Sequence, residues 1–304
     1  MMKSVLTLVA PPDRHPLSDA VTTVLLQRLH QVGATTGDIA WLQEEIACDI
    51  PFDNLPVDQA QQLVAATLAE LPIDFHVQPA ANRRKKLLLS DMDSTILTNE
   101  TLDDIADIAG LKDEIAAITA RAMAGELDFT QALIERVAML ADLSETALAK
   151  AFDRIGYSAG GATLVATMRR HGAYTALVSG GFKYFTSRVA GKIGFDLDLA
   201  NDLEISEGRL TGRLQGPILD PDGKLSALIR LSDEHGLTPA DATTVGDGSN
   251  DIPMLRAAGL GVAYRGKPIV RQAVACQVNH TDLTTLLYFQ GYHHTDFIVA
   301  GDRA

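Results

Sequence analysis

Leu87-Leu88-Leu89-Ser90-Asp91-Met92-Asp93-Ser94-Thr95 is the stretch around which the chain is organised. An apolar run closed by acidic and hydroxyl residues reads as a buried parallel strand arriving at the edge of its sheet. Asp91 and Asp93 stand two positions apart, so an extended backbone would place both carboxylates on one face; the small residues after them predict an immediate turn. Two crowded carboxylates repel, so one must hold a proton or both must meet a cation. The competing structural reading is an Asx turn or a helix N-cap at Asp93-Ser94-Thr95. The rest of the chain decides between them.

Upstream lies a smaller unit. Residues 4–10 are strand-like, and residues 18–32 are helical, with Val21, Val24, Leu25 and Leu29 apolar. Residues 38–52 read as one or two strands, residues 57–71 as a second helix carrying Leu63, Val64, Ala66, Leu68 and Leu71, and residues 73–77 as a closing strand. The order βαββαβ predicts a ferredoxin-like domain over residues 1–82, and its pattern resembles an ACT-type regulatory module. The basic run Arg83-Arg84-Lys85-Lys86, after Pro79-Ala80-Ala81-Asn82, reads as a solvated linker into the strand at Leu87.

Downstream, residues 100–108, 111–124, 129–140 and 145–154 each carry apolar side chains at helical spacing. They predict a helical insertion at about residues 98–158, covering the strand edge as a lid covers a site from which water is excluded. From Gly161 strands and helices alternate again: helix 163–171, strand 174–179, helix 182–193, a hairpin over 203–214, helix 224–235, strand 242–245, helix 251–258, and strands 261–264 and 276–278. This alternation predicts an α/β fold, a Rossmannoid parallel sheet over residues 83–304 with a helical cap, with ligands gathered at the carboxyl ends of the strands.

Composition narrows the function. The 304 residues carry 26 Lys and Arg against 39 Asp and Glu, a formal net charge of -13, which argues against general nucleic-acid binding. Cys48 and Cys276 are the two cysteines, with no CxxC pair to suggest zinc or redox chemistry. The apolar start of the chain is cut short by Pro11 and Pro12, and no stretch approaches a membrane span, so a cytoplasmic protein without a membrane partner is expected.

Three further motifs fall at the same predicted edge. Ser179-Gly180-Gly181 sits where a strand runs into a helix; a hydroxyl and two glycines let backbone N–H groups approach an anion closely. Lys224 opens a helix and supplies a cation to face that anion, with Arg209 and Arg213 as rivals. Gly246-Asp247-Gly248-Ser249-Asn250-Asp251 places carboxylates in a glycine loop after a strand, which suits magnesium: a few carboxylate oxygens, several waters and a substrate phosphate.

Taken together and in this order, the four motifs resemble the haloacid dehalogenase superfamily, and within it the phosphoserine phosphatase family, over about residues 87–292. The resemblance implies magnesium-dependent hydrolysis of O-phospho-L-serine, the last step of serine biosynthesis. It implies Asp91 as nucleophile and Asp93 as general acid and then base. It implies Mg2+ held by Asp91, the Asp93 carbonyl and Asp247, with Asp251 in support, and phosphoryl oxygens held by Ser179, Gly180, Lys224 and Asn250. From the cap, Glu100 would face the substrate ammonium, Arg136 its carboxylate, and Phe129 would close over it. Fold-level analogy for the N-terminal domain adds the expectation of a homodimer through it. A phosphoacceptor signalling domain shares the acid cluster and the lysine, but is about 120 residues long and carries no such cap.

Overall fold

The computed structural model describes residues 2–13, 17–123 and 125–299, which build two sheets. The first runs β1 (Ser4–Val9), α1 (Asp19–Gln31), β2 (Thr35–Thr36), β3 (Ala40–Gln43), β4 (Ala47–Asp53), α2 (Val57–Leu68) and β5 (Asp74–Pro79). Its strands lie in the order β2-β4-β1-β5, all antiparallel, with β3 paired to β4; this is the ferredoxin-like arrangement. The two-residue strand β2 escapes a reading of periodicity because two positions carry no period. Strand alternation sends Leu6, Leu8, Ile50 and Phe52 to one face, where they pack with Leu25 and Leu29 of α1 and Ala60 and Val64 of α2. The same alternation turns Thr7 and its cross-strand partners Asp49 and His76 to the opposite face.

That opposite face corrects the expectation of a solvated linker at residues 83–86. Arg83 donates to both oxygens of Asp49 (2.5 and 3.0 Å), to Thr7 Oγ1 (3.0 Å) and to the carbonyls of Tyr288 and Phe289 (3.2 Å each). Lys85 is buried and gives its ammonium to the carbonyls of Asn82 and Ala240, both at 2.8 Å. Only Arg84 and Lys86 of the run are exposed. Four cations in a row look solvated on composition alone, but here Arg83 satisfies the buried Asp49 and Thr7, and Lys85 turns in to two main-chain carbonyls.

The second sheet is built from β6 (Leu87–Ser90), α3 (Thr101–Ala109), α4 (Lys112–Met123), α5 (Phe129–Ala138), α6 (Thr146–Phe152), α7 (Gly161–Arg170), β7 (Tyr174–Phe182), α8 (Lys183–Ile193), β8 (Leu197–Ser206) and β9 (Arg209–Gln215). It continues with α9 (Pro221–Glu234), β10 (Ala242–Gly246), α10 (Ile252–Ala257), β11 (Leu260–Tyr264), α11 (Pro268–Ala273), β12 (Cys276–Val278) and α12 (Thr285–Phe289). The strand order is β12-β11-β10-β6-β7-β8-β9, with β6 parallel to both β10 and β7. Leu88 joins the core that includes Leu164, Val165 and Met168 of α7. Leu87 and Leu89 join the core of Ala227, Leu228 and Leu231 of α9, so β6 is covered on both faces. Each of these fully buried leucines contributes about 2 kcal/mol.

Connections from β6 lead first to β7 on one side and later to β10 on the other, which makes the β6/β10 boundary a topological switch point where a crevice opens at the carboxyl ends. Between β6 and α7 an antiparallel bridge joins Leu97 to Tyr157, and α3 to α6 lie in the excursion between those two residues. The predicted hairpin is longer than expected. The first part of β8 pairs in parallel with β7 before the strand turns into its antiparallel pairing with β9.

Candidate active site

Asp91 continues the strand ladder through its N–H to the Val245 carbonyl (2.9 Å), and the chain then bends sharply. Ser94 adopts a left-handed conformation (φ 52°, ψ 7°), and the Leu97 N–H closes the turn on the Met92 carbonyl at 2.8 Å. The strain of a left-handed serine is about 1–2 kcal/mol. It is offset locally: Ser94 donates its N–H to the Asn99 carbonyl (3.1 Å) and its hydroxyl to Glu100 Oε1 (2.9 Å). The bend sets Asp93 beneath the start of α3, whose Thr101 N–H donates to Asp93 Oδ1 at 2.8 Å.

The crevice at this edge is a cavity of about 170 Å³ lined by Asp91, Asp93, Glu100, Phe129, Arg136, Ser179, Gly180, Asp247 and Asn250, together with Thr101, Gly181 and Lys267. It is smaller than the ~300–1,000 Å³ of sites for drug-sized ligands, which fits a small metabolite. Gly180 and Gly181 are required by close approach. A Cβ on Gly180 would sit 2.8 Å from the Phe129 ring, and one on Gly181 would sit 2.8 Å from Asp93 Oδ2. Phe129 therefore lies down over the β7 loop. Ser179 accepts from the Gly181 N–H at 2.9 Å, and Asn201 Nδ2 pins the Gly180 carbonyl at 2.9 Å.

Lys224 and Asp251, both anticipated at the site, stand behind its wall rather than on its surface. Asp220 caps α9 by accepting from the Gly223 N–H (2.8 Å), and Pro221 follows it, so Lys224 falls in the first helical turn. Its ammonium is fully buried and lies 2.6 Å from both Asp91 Oδ1 and Asp251 Oδ1. The rival cations are elsewhere: Arg209 binds the Asp142 carbonyl, and Arg213 pairs with Glu204.

Carboxylates outnumber cations here, and their protonation reflects it. Burial pushes the Asp93 carboxyl up to about 7, with the charge of Glu100 adding to it and the Thr101 N–H opposing it. Burial likewise pushes Asp247 up to about 6 against the pull of Lys267, and the charges of Asp251 and Glu100 raise it further. Asp91 is raised well above the usual carboxylate range by burial and by Asp251, more than Lys224 lowers it. Burial works against the charge of Lys224 itself, but Asp251 and Asp91 more than offset that and hold its ammonium above the ordinary lysine value.

Asp91, Asp247 and Asp251 each bring a carboxylate oxygen within 4.8 Å of the others, all three buried. An all-oxygen donor set of three buried carboxylates with one lysine among them fits a hard divalent cation. Sequence reasoning missed two contributors. Thr101 acts through its main chain, which residue type cannot reveal. Lys267 follows the strand β11 in Gly266-Lys267-Pro268, the same strand-to-turn signal that marked the other loops.

Residues 88–256 match the haloacid dehalogenase-like hydrolase family. The chain is 37% identical over 281 residues to a phosphoserine phosphatase of Streptomyces coelicolor, covering 91% of this chain and 68% of that protein. It is 38% identical over 237 residues to one of Mycobacterium tuberculosis, covering 77% and 58%. Among solved structures it is similar to a haloacid dehalogenase family hydrolase of Salmonella enterica serovar Typhi, with a TM-score of 0.80, 27% identity and coverage of 94% and 98%. A substrate-bound phosphoserine phosphatase complex superimposes with a TM-score of 0.64 at 37% identity, covering 67% of this chain and 98% of that one. A matched family segment that holds Asp91, Asp93, Ser179, Lys224, Asp247 and Asp251, on a fold that brings all six to one strand edge, leaves one assignment: the chain belongs to the haloacid dehalogenase-like hydrolase family.

Proposed function

We propose that this chain is a magnesium-dependent phosphatase that hydrolyses O-phospho-L-serine to L-serine and phosphate, closing serine biosynthesis. The observation that carries the reading is a cavity that sets the Asp91–Asp93 pair against one carboxylate, Glu100, and one guanidinium, Arg136. A phosphorylated amino acid presents an ammonium and a carboxylate beside its phosphate, and these two groups answer that pair of charges. The substrate-bound relative supports the same assignment.

Asp91 attacks phosphorus through a carboxylate oxygen; the bond from phosphorus to the serine oxygen breaks, and Asp93 gives that oxygen its proton. Water then attacks phosphorus of the aspartyl-phosphate, its proton passing to Asp93, and phosphate departs with Asp91 restored. Ser179, the Gly180 main chain and Asn250 hold phosphoryl oxygens, and Lys224 neutralises the charge gathering around Asp91. Asp91, Asp247 and the Asp93 carbonyl, with Asp251 behind, would hold a dication, which would supply charge screening between the attacking carboxylate and the phosphate. Phe129 and the cap keep bulk water away until the serine has left.

The test is phosphate release from a panel of phosphorylated metabolites, with and without Mg2+. Phosphoserine is expected to be the preferred substrate. Arg136→Ala is expected to raise KM for phosphoserine by about 10- to 100-fold, as loss of a bidentate charged contact does, and to leave KM for p-nitrophenyl phosphate nearly unchanged. Equal effects on the two substrates would remove the basis for the assignment.

A further inference from the structure

Lys267 lies outside the four motifs, yet it touches both halves of the site. Its ammonium is 3.2 Å from Asp247 Oδ2 and 3.8 Å from Glu100 Oε1. Its backbone N–H also donates to the Asp247 carbonyl at 3.0 Å, so main chain and side chain both fix it to the same aspartate. Pro268 follows at the first position of α11, which holds the backbone of this turn in place. Glu100 stands immediately before α3, the first helix of the cap, and Asp247 stands at the end of β10. Among the described residues no other cation forms ion pairs to both the cap and this loop.

An exposed lysine pair is ordinarily worth little, and half of the Lys267 side chain is exposed. This one differs because its partners are two carboxylates that repel each other, one of them buried and at the proposed cation site. We infer that Lys267 is a positioning residue for the reaction: by gripping one oxygen of Asp247 it fixes the rotation of that carboxylate for the divalent cation, and by attracting Glu100 it holds the substrate-reading carboxylate of the cap over the same point. The inference rests on the function proposed above for Glu100. Without the ammonium, Asp247 and Glu100 turn apart, and cation affinity and recognition of the substrate's amine weaken together.

The decisive experiment compares wild type, Lys267→Met and Lys267→Arg in two arms. In the first, Mg2+ is titrated calorimetrically into metal-free protein with no substrate. Lys267→Met is expected to bind about tenfold more weakly, the lower end of the 10- to 100-fold cost of losing a group that orients a metal ligand, and Lys267→Arg is expected to recover most of it. In the second arm, at saturating Mg2+, Lys267→Met is expected to raise KM for phosphoserine several-fold more than KM for p-nitrophenyl phosphate, which has no ammonium. Mg2+ affinity within threefold of wild type in Lys267→Met, or an equal loss in Lys267→Arg, overturns the inference. If wild type releases no phosphate from phosphoserine, the proposed function fails while the calorimetric arm still decides the role of Lys267.

Discussion

Two regions of this chain bury carboxylates and treat them in opposite ways. At the joint between the sheets, Asp49 receives both ends of the Arg83 guanidinium and the Thr7 hydroxyl. Asp74 receives the N–H groups of Asn279, His280 and Thr281 and the Thr281 hydroxyl. At the β6/β10 edge, Asp91, Asp93, Asp247 and Asp251 gather with Glu100 around Lys224 and Lys267, and the first three have raised pKa values. A buried charge whose lone pairs are filled ties two parts of a protein together. One left short of partners is ready to take what the chain does not supply, whether a cation, a proton or a phosphoryl group.

The sharpest way to break this contrast is one substitution in each region. Asp91→Asn is expected to lower kcat by about 10⁴-fold or more, because a carboxamide is no nucleophile, while the melting temperature stays within a few degrees of wild type. The substitution removes one of the crowded acids and leaves Lys224 paired with Asp251. Asp74→Ala is expected to do the reverse. It leaves three N–H groups without their acceptor, costing about 4 kcal/mol of stability in urea unfolding, with kcat of the folded enzyme within twofold of wild type. A stable, active Asp74→Ala variant would show that the joint is not what those hydrogen bonds make it.

The same contrast explains what could be read from the sequence. The edge was legible because its signals are local: an apolar run ending in Asp91-Met92-Asp93, glycines beside Ser179, and acids within the glycine loop after β10. Lys224 was legible only by association, since a lysine at the start of a helix looks like a surface residue until its acidic partners are known. The joint was invisible because its partners lie far apart in the chain, Arg83 with Thr7 and Asp49, and Asp74 with residues 279–281. Nothing in Arg-Arg-Lys-Lys says that Arg83 and Lys85 turn inward while Arg84 and Lys86 turn out. Helices α11 and α12 were missed for another reason: at six and five residues, neither completes enough turns to show a period.

A finer test asks whether the under-compensated charge at the edge does chemical work, and it turns on Asp93. Burial pushes its carboxyl up to about 7, so protonated and ionised forms are both available near neutrality. The kcat/KM value reports steps only through release of the alcohol, where the role proposed for Asp93 is that of acid; its proposed later role as base does not enter. Serine leaves as a strong base that needs this proton, whereas p-nitrophenolate leaves without it. Dividing kcat/KM for phosphoserine by that for p-nitrophenyl phosphate at each pH cancels their shared dependence on cation binding and on phosphate ionisation. Because the acid form is lost as pH rises, the ratio is expected to be flat on the acid side and to fall about tenfold per pH unit above the break, or ~1.4 kcal/mol per unit. A dication bound as proposed would draw Asp93 down, so with Mg2+ present the break is expected at or below about 7. Glu100 raises Asp93, so Glu100→Gln is expected to move the break to still lower pH. A ratio that stays level across the alkaline range, or a break that Glu100→Gln leaves in place, would mean that the raised carboxyl at Asp93 is a by-product of crowding and that the leaving serine takes its proton from elsewhere.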